Sequence, residues 1–302
     1  MAEPRGRRLN PGFGYLLVTT AAWGCNWPVM KLLMREWPPF SFRILAGGGA
    51  VLLLLGIARW QGDALLPPRG QWRRLAVASL LNVASWSVVA PLSLFWLDAS
   101  EAAIIAYTMP IWATMLAWPF LGERPTGPRL AGLGLGLAGV ALLMAGPLAT
   151  LPAAQVLAKL PGVGFMLLTA LMFAGGTVFT KRFPLAMPPL PLVAWQLAIG
   201  LAPVVVIGLG FEQVRWSGIT ALGWGCLAYV GIIAQGLAYL AWFRALKRLP
   251  ASTAAIGSLL VPVLGVLSSA LVLGEPLGAR QVASLTLTLG GVVLAARVVS
   301  DG

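Results

Sequence analysis

Residues 99–123 read ASEAAIIAYTMPIWATMLAWPFLGE, and residues 251–275 read ASTAAIGSLLVPVLGVLSSALVLGE. At a shift of 152, Ala99-Ser100, Ala102-Ala103-Ile104, Pro110 and Leu121-Gly122-Glu123 meet Ala251-Ser252, Ala254-Ala255-Ile256, Pro262 and Leu273-Gly274-Glu275. A shift of 150 lays the opening of the chain on its middle. Gly12, Gly14, Leu17, Thr19, Lys31 and Pro38-Pro39 then meet Gly162, Gly164, Leu167, Thr169, Lys181 and Pro188-Pro189. Single identities arise by chance in a chain rich in Ala, Leu and Gly. The ordered spacing from the proline to Leu-Gly-Glu does not, so the chain reads as a duplication.

Composition says what the duplicated unit is made for. Hydrophobic types make up 59% of the 302 residues and charged types only 10%, against about 25% charged in a soluble domain. That excludes a soluble enzyme, a disordered chain and a secreted disulfide scaffold. Cys25 and Cys226 lie far apart in apolar runs and fit no metal motif or disulfide framework. Histidine is absent, which removes the commonest metal ligand and general base. No cofactor, metal or catalytic residue is expected. The net charge of +12 is scattered in short groups between apolar runs, which is not the basic face of a nucleic-acid binder. Arg5-Gly6-Arg7-Arg8 followed by an apolar stretch resembles a signal peptide, but that stretch runs on to residue 33. It is too long for an h-region of about 7–15 residues and reads as a retained first span.

A helix crosses the hydrocarbon with about 20 mostly apolar residues. Ten segments qualify: 12–33, 39–58, 75–96, 101–121, 128–146, 162–181, 190–210, 220–242, 252–273 and 279–297. The apolar runs are continuous rather than alternating, which excludes a transmembrane β-barrel. The expected fold is all-α and integral to the membrane. One five-helix repeat occupies 1–146, a connecting segment 147–161, and a second repeat 162–302. Fifteen Lys and Arg flank one side, among them Arg5, Arg7, Arg73, Arg74, Arg124, Lys181, Arg244, Lys247 and Arg248; five flank the other (Lys31, Arg35, Lys159, Arg215, Arg280). Positive charge stays inside, so both termini are expected in the cytoplasm, in the cell (inner) membrane. Five spans per half make the second repeat enter from the opposite side. Inverted repeats of this kind typify secondary transporters, with a substrate cavity near the midplane between the halves.

Ten spans in a five-plus-five repeat, with a proline in spans four and nine followed by Leu-Gly-Glu, resemble the EamA family of the drug/metabolite transporter superfamily. Trp23-Gly24, Asn26-Trp27 and Phe42-Arg43 carry the same resemblance. Within the family the chain is most similar to YddG-type exporters of aromatic amino acids. The resemblance implies export of small organic metabolites, amino acids among them. Val193 stands where Arg43 would repeat and Gly176 where Asn26 would, so any role of Arg43 or Asn26 belongs to one half alone.

Polar side chains inside a span are costly and face a cavity or a partner helix. Asn82, Ser85 and Trp86 are spaced i, i+3, i+4 and are expected on one face of span three. Gln235 and Tyr239 are spaced i, i+4 in span eight. Asn26 stands beside Pro28, which frees a backbone carbonyl. Tyr107 and Trp112 flank Pro110, and Ser258 precedes Pro262. These nine polar and aromatic residues are the candidates for holding substrate, against interhelical hydrogen bonding and packing as the alternative. Pro110 and Pro262 are the candidate gating positions, since paired interrupted helices point to a transporter's site. Trp23, Trp27, Trp86, Trp112 and Trp195 are expected to lie deep. Trp37, Trp60, Trp72, Trp118, Trp216 and Trp242 are expected in the interfacial belt. Gly132, Gly134, Gly136 and Gly139 in span five and Gly290-Gly291 in span ten are expected to serve close helix packing or a homodimer contact. Glu123 and Glu275 are read as structural, each set against the N-terminal end of the helix that follows it.

No carboxylate falls at mid-span; Asp98 and Glu101 sit at an edge. Proton-coupled carriers place one on the pathway, so facilitated diffusion or exchange is expected. No Gly-x4-Gly-Lys-Ser/Thr loop is present, so ATP is not hydrolysed by this chain. The competing readings are a sugar-phosphate or nucleotide-sugar exchanger, a pore and a membrane-embedded enzyme. The first needs basic residues in the cavity, and Arg43, Lys31 and Lys181 are placed to snorkel to an interface instead. A pore would show a charged ring or repeated filter, and an enzyme a catalytic cluster; neither is visible.

Overall fold

The structure, a computed structural model, describes residues 10–93, 95–97, 102, 105–144, 157–214, 216–274 and 277–300. Asp98, Glu101, Glu275 and most of the connecting segment lie outside the described residues. Among those described, ten long helices succeed one another: α1 (Pro11–Leu33), α2 (Pro39–Trp60), α3 (Trp72–Ser93), α4 (Met109–Leu121), α5 (Gly127–Met144), α6 (Leu160–Arg182), α7 (Pro189–Phe211), α8 (Ala221–Leu246), α9 (Ala251–Leu273) and α10 (Ala279–Ser300). Six of them, α2, α3 and α6 to α9, are long and apolar enough to cross a membrane; α4, α5 and α10 carry shorter apolar stretches. The bundle's outside is apolar, with Leu52, Val206, Leu209, Phe211 and Leu271 all strongly exposed.

Local chemistry sets the helix ends. Prolines occupy the first turn of α1, α2, α4, α6 and α7, where a missing N–H costs nothing. Gly122 and Gly274 close α4 and α9 at φ of 73° and 69°, the left-handed conformation that a glycine adopts without a Cβ penalty. The Leu-Gly-Glu repeated in the sequence is therefore a helix stop.

The two halves do not stand apart. α1 packs on α8 and α9, α2 on α7 and α8, α3 on α6 and α7, α4 on α6 and α9, and α5 on α10. Exchanging α1–α5 with α6–α10 leaves this set of contacts unchanged. The helix ends also sort into two groups. The start of α1 meets the end of α8 through Asn10 Nδ2 and the Arg248 carbonyl (3.1 Å). The end of α6 reaches the same place through Lys181 Nζ and the Leu249 carbonyl (2.7 Å). At the other end of the bundle Gly162, at the start of α6, lies against Ser93 and Leu97 just at the end of α3.

The glycine surfaces of α5 and α10 face each other within one chain. A Cβ on Gly291 would stand 2.5 Å from the Gly132 carbonyl, and one on Gly139 would stand 2.8 Å from the Ser284 carbonyl. Gly134 and Gly290 have open space beside them.

Both α3 and α8 widen in the middle. Leu80–Val89 and Tyr229–Leu237 are π-helical, with the Ala90 N–H donating to Ser85 and the Ala238 N–H to Ile233. Turns of this i→i+5 kind concentrate at functional sites. They also correct the sequence reading. Each residue advances less around a wide turn, so the i, i+3, i+4 spacing of Asn82, Ser85 and Trp86 no longer defines one face. Asn82 and Ser85 are fully buried while Trp86 is half-buried.

Candidate functional site

The two wide-turn helices are held by matched threonines. Thr19 Oγ1 of α1 donates to the Ala238 carbonyl of α8 (3.2 Å), and Thr169 Oγ1 of α6 donates to the Ser85 carbonyl of α3 (3.4 Å). These are the threonines that the 150-residue shift aligns. Between them sits an aromatic cluster drawn from α1, α3, α6 and α8. Trp23 lies 5.4 Å from Tyr239 and 6.4 Å from Phe173, and Phe173 lies 5.8 Å from Trp242 and 6.1 Å from Trp86. Trp23 Nε1 donates to the Ala234 carbonyl (3.0 Å) inside the wide turn of α8.

Two members of this cluster correct the sequence reading. Trp242, expected in the interfacial belt, is fully buried at its centre, because α8 runs to Leu246 and carries the ring inward. Phe173 drew no notice in the sequence; nothing marks one phenylalanine among eleven except its position opposite Trp23, one repeat away. Trp195, expected deep, instead donates Nε1 to the Leu65 carbonyl (2.8 Å) in the loop after α2 and meets Trp72. Trp37 stays at a bundle end with Trp216 and Trp224 but is buried there.

Asn82 spends its donors on helix contacts. Nδ2 reaches the Ala78 carbonyl (3.0 Å), Thr180 Oγ1 (3.1 Å) and Gln196 Oε1 (3.4 Å). Its carbonyl side rests on Gly176, where a Cβ would stand 2.5 Å away. The Tyr239 hydroxyl donates to the Asn82 backbone carbonyl (3.4 Å), and Ser85 Oγ to the Leu81 carbonyl (2.7 Å). Ser258 is fully buried with Oγ on the Ala255 carbonyl (2.6 Å). Tyr107 is buried against Trp27. Trp112 is half-buried with Nε1 on Thr108 Oγ1 (3.1 Å).

Asn82 Oδ1, Gln235 Oε1 and Asn26 Oδ1 are all buried and accept from no donor. Arg43, which the sequence placed at an interface, stays half-buried against the Phe42 ring at 5.4 Å. Its charge acts on Tyr239 and Glu212. At the end where α7 begins and α8 finishes, a cleft of about 200 Å³ is lined by Pro189, Leu192, Phe243, Arg244, Lys247 and Arg248.

Pro110 and Pro262 do not interrupt running helices. Each stands in the first turn after a tight break, at Tyr107–Thr108 and Ser258–Leu259. There a proline lacks no partner, and its missing N–H falls where each helix begins again after the break.

The acidic residues among those described, Glu36, Asp63, Glu123 and Glu212, all lie outside the ten helices. Three of them cap helices across the halves. Glu36, after α1, accepts from Thr220 N (2.9 Å) and Thr220 Oγ1 (2.8 Å) before α8. Glu212, after α7, accepts from Phe40 N (3.0 Å) and Ser41 N (2.6 Å) at the start of α2. Glu123, after α4, accepts from Ala251 N (2.9 Å) and Ser252 N (3.2 Å) at the start of α9 and from Lys181 Nζ (2.8 Å). Glu123 therefore serves α9 and not α5, the helix that follows it. Burial works against its charge, but the Lys181 ammonium and the two backbone N–H groups outweigh burial and hold its pKa below the ordinary carboxylate range.

The EamA-like transporter family matches residues 10–145 and 160–297. The chain is 28% identical to the uncharacterized transporter YvbV of Bacillus subtilis over 90% of this chain and 87% of that one. It is 27% identical to the "Probable amino-acid metabolite efflux pump" of Salmonella typhimurium over 94% and 93%. A solved crystal structure superposes with a TM-score of 0.81 at 21% identity, covering 95% of this chain and 99% of that one, which is a likeness of fold.

Proposed function

Since the chain belongs to the EamA-like transporter family, and is a multi-pass membrane protein and not an enzyme, we propose that it exports small organic metabolites, amino acids including aromatic ones, by alternating access. In this reading all ten helices span, the halves are inverted repeats, and both termini lie in the cytoplasm beneath the inner membrane. One observation carries it: the contacts between the halves survive their exchange, α1 on α8 and α9 matching α6 on α3 and α4. A body built so can swap the conformations of its halves and open to the other side. The opposed helix ends at Leu249 and Gly162 support the inversion.

Amino acids enter from two directions. The relative from Salmonella is named for them, and the aromatic cluster of Trp23, Trp86, Phe173, Tyr239 and Trp242 offers a π-rich wall between the halves. Asn26, Trp86, Tyr107, Trp112, Gln235 and Tyr239 are the proposed contacts, while Asn82, Ser85 and Ser258 support their helices. The position of the described carboxylates, all at helix ends, favours facilitated transport or exchange over proton coupling.

The test is counterflow in proteoliposomes with tryptophan, phenylalanine, threonine and a sugar phosphate. Saturable tryptophan exchange is expected, and exchange of the sugar phosphate alone would overturn the proposal. Replacing Pro110 and Pro262 together by Ala lets the breaks at Tyr107–Thr108 and Ser258–Leu259 close into continuous helix. Exchange should slow about tenfold, equivalent to roughly 1.4 kcal/mol of barrier, with the amount of inserted protein unchanged. An unaltered exchange rate would remove the breaks from the gating path.

A further inference from the structure

We infer that Arg43 and Gln235 form a subsite for the backbone of an α-amino acid, Arg43 taking the carboxylate and Gln235, with Asn26, the ammonium. The inference rests on the transport reading above and names the part of the substrate that is recognised.

Arg43 stands in the second turn of α2. A guanidinium in an apolar helix is costly and marks function unless it is paired. Among the described residues this one has no hydrogen bond or ion pair; its contact is the face of Phe42. The nearby acid is spoken for, since Glu212 gives its two oxygens to Phe40 N, Ser41 N and Ser41 Oγ. Gly47 lies one turn beyond Arg43 on the same face of α2. A Cβ at Gly47 would stand 2.9 Å from Gln235 Oε1, so the Gln235 carbonyl rests on the face that carries Arg43.

That carbonyl is the complementary half. Gln235 Oε1 is a buried acceptor with no donor, and a buried acceptor left alone costs about 1–3 kcal/mol. Asn26 Oδ1 is in the same condition on α1. It stands one turn from Ala22, whose carbonyl accepts from the Tyr229 hydroxyl of α8 (3.0 Å), so it too belongs to the side of α1 that meets α8. A cation without an acceptor thus shares a helix interface with acceptors that lack donors. An ammonium is donor-only and a carboxylate acceptor-only, and an α-amino acid carries both on neighbouring atoms. Tyr239 stands one wide turn beyond Gln235 and touches Trp23 at 5.4 Å, so the side chain of the same molecule would lie against the aromatic cluster. The absence of a second copy is part of the argument. Val193 and Gly176 occupy the matched positions in the other half, which suits one asymmetric ligand and not two.

The experiment is tryptophan counterflow in proteoliposomes of the full chain, with competitors that remove one charge at a time. Tryptophan itself should compete, while tryptamine, tryptophan methyl ester and indole-3-propionate should compete at least tenfold less well. Arg43→Gln should raise the KM for tryptophan at least tenfold with KM partly restored in Arg43→Lys, and Gln235→Leu should raise it severalfold. If the unaltered protein exchanges tryptophan and tryptamine equally well, the subsite is refuted and the carrier reading survives. The competitor series needs no variant, so a misfolded Arg43→Gln cannot hide that result. If the unaltered protein exchanges no amino acid, the transport reading itself falls. Unchanged KM in a well-inserted Arg43→Gln would likewise refute the subsite.

Discussion

Glu123→Ala is expected to reduce exchange more than tenfold and to lower the apparent Tm of the purified protein by several degrees. The carboxylate joins three pieces of chain that sequence separates. It sits on the left-handed turn after α4, caps α9 through Ala251 and Ser252, and holds Lys181 at the end of α6. Lys181 in turn closes on the Leu249 carbonyl at 2.7 Å. Loss of a helix cap costs about 1 kcal/mol, and loss of a charge-assisted hydrogen bond adds about 1.5–3. Both partners are mostly shielded, with side-chain exposures of 27% for Lys181 and 14% for Glu123, so solvent screens the pair only in part. The functional cost exceeds the stability cost because this clamp ties α4 and α6, of different halves, to α9 at one end of the bundle. Relative motion of the halves must break it. Glu123→Ala leaves that end without its closing contact and shifts the resting population toward the other state.

Two further readouts belong to the same clamp. Lys181→Met should cost less alone than Glu123→Ala, since the α9 cap remains. The double variant should cost less than the sum, with a coupling of about 0.5–3 kcal/mol as residues in contact show. The carboxyl is held below its ordinary pKa, so its contribution is present above the unfolded value of about 4.3 and is lost as pH falls through the folded value. Apparent Tm should therefore drop on acidification below about pH 4.5, and more weakly in Glu123→Ala. Additive costs in the double variant, or the same acid limb in both proteins, would show that the carboxylate merely decorates the helix end.

Much of this was legible in the chain itself, and the limits have physical causes. The Pro to Leu-Gly-Glu spacing was readable because it encodes backbone geometry, a helix start and a left-handed stop at Gly122 and Gly274. Such positions tolerate few residues. The target of Glu123 was not readable, because a carboxylate after a helix can cap any N-terminus that folding brings near. It found α9 and not α5. The wide turn of α8 left no trace in composition; Tyr229–Leu237 is as apolar as the helix that leads into it. With the wide turn of α3 went the face that Trp86 was expected to share with Asn82 and Ser85. Trp242 was misplaced because a rule about span ends depends on where a span ends, and α8 continues to Leu246. The Trp-Gly-x-Asn-Trp stretch was noticed as a pattern, and the structure supplies its chemistry. Trp23 anchors the aromatic cluster, Gly24 admits α9, Asn26 offers a bare acceptor, and Trp27 covers Gly265.

Gly24→Val is expected to abolish both exchange and stable insertion, and Gly24→Ala to separate the two. A Cβ on Gly24 would stand 2.5 Å from Leu264 Cβ and 3.1 Å from the Val261 carbonyl; one on Gly265 would stand 2.8 Å from Trp27 Cδ1. The two glycines set how closely α1 and α9 approach. Small residues permit such contact in lipid, where packing rather than apolar burial drives helix association. A backbone carbonyl cannot swing aside as a side-chain tip can, so α9 must shift as a body. One added methyl in so tight a place costs about 1–3 kcal/mol, and the two further methyls of valine cost more. The repeat supplies the control. The same shifts that align the halves place Ala174 opposite Gly24 and Ala113 opposite Gly265. Those alanines are buried and pack together where α6 meets α4. One crossing is thus built for a Cβ and its counterpart is not. Ala174→Gly should lower stability by about 1 kcal/mol at most, while Gly24→Ala should lower apparent Tm and slow exchange. If the halves exchange conformations during transport, the α1–α9 crossing must at some point adopt the spacing of α4–α6. A methyl at Gly24 then favours the state in which that spacing is wide. Gly24→Ala should accordingly bias accessibility of cysteine probes toward one side of the membrane, whereas Ala174→Gly should bias it toward the other. Equal accessibility in both variants would leave the two crossings as static packing and break the link between the repeat and the transport cycle.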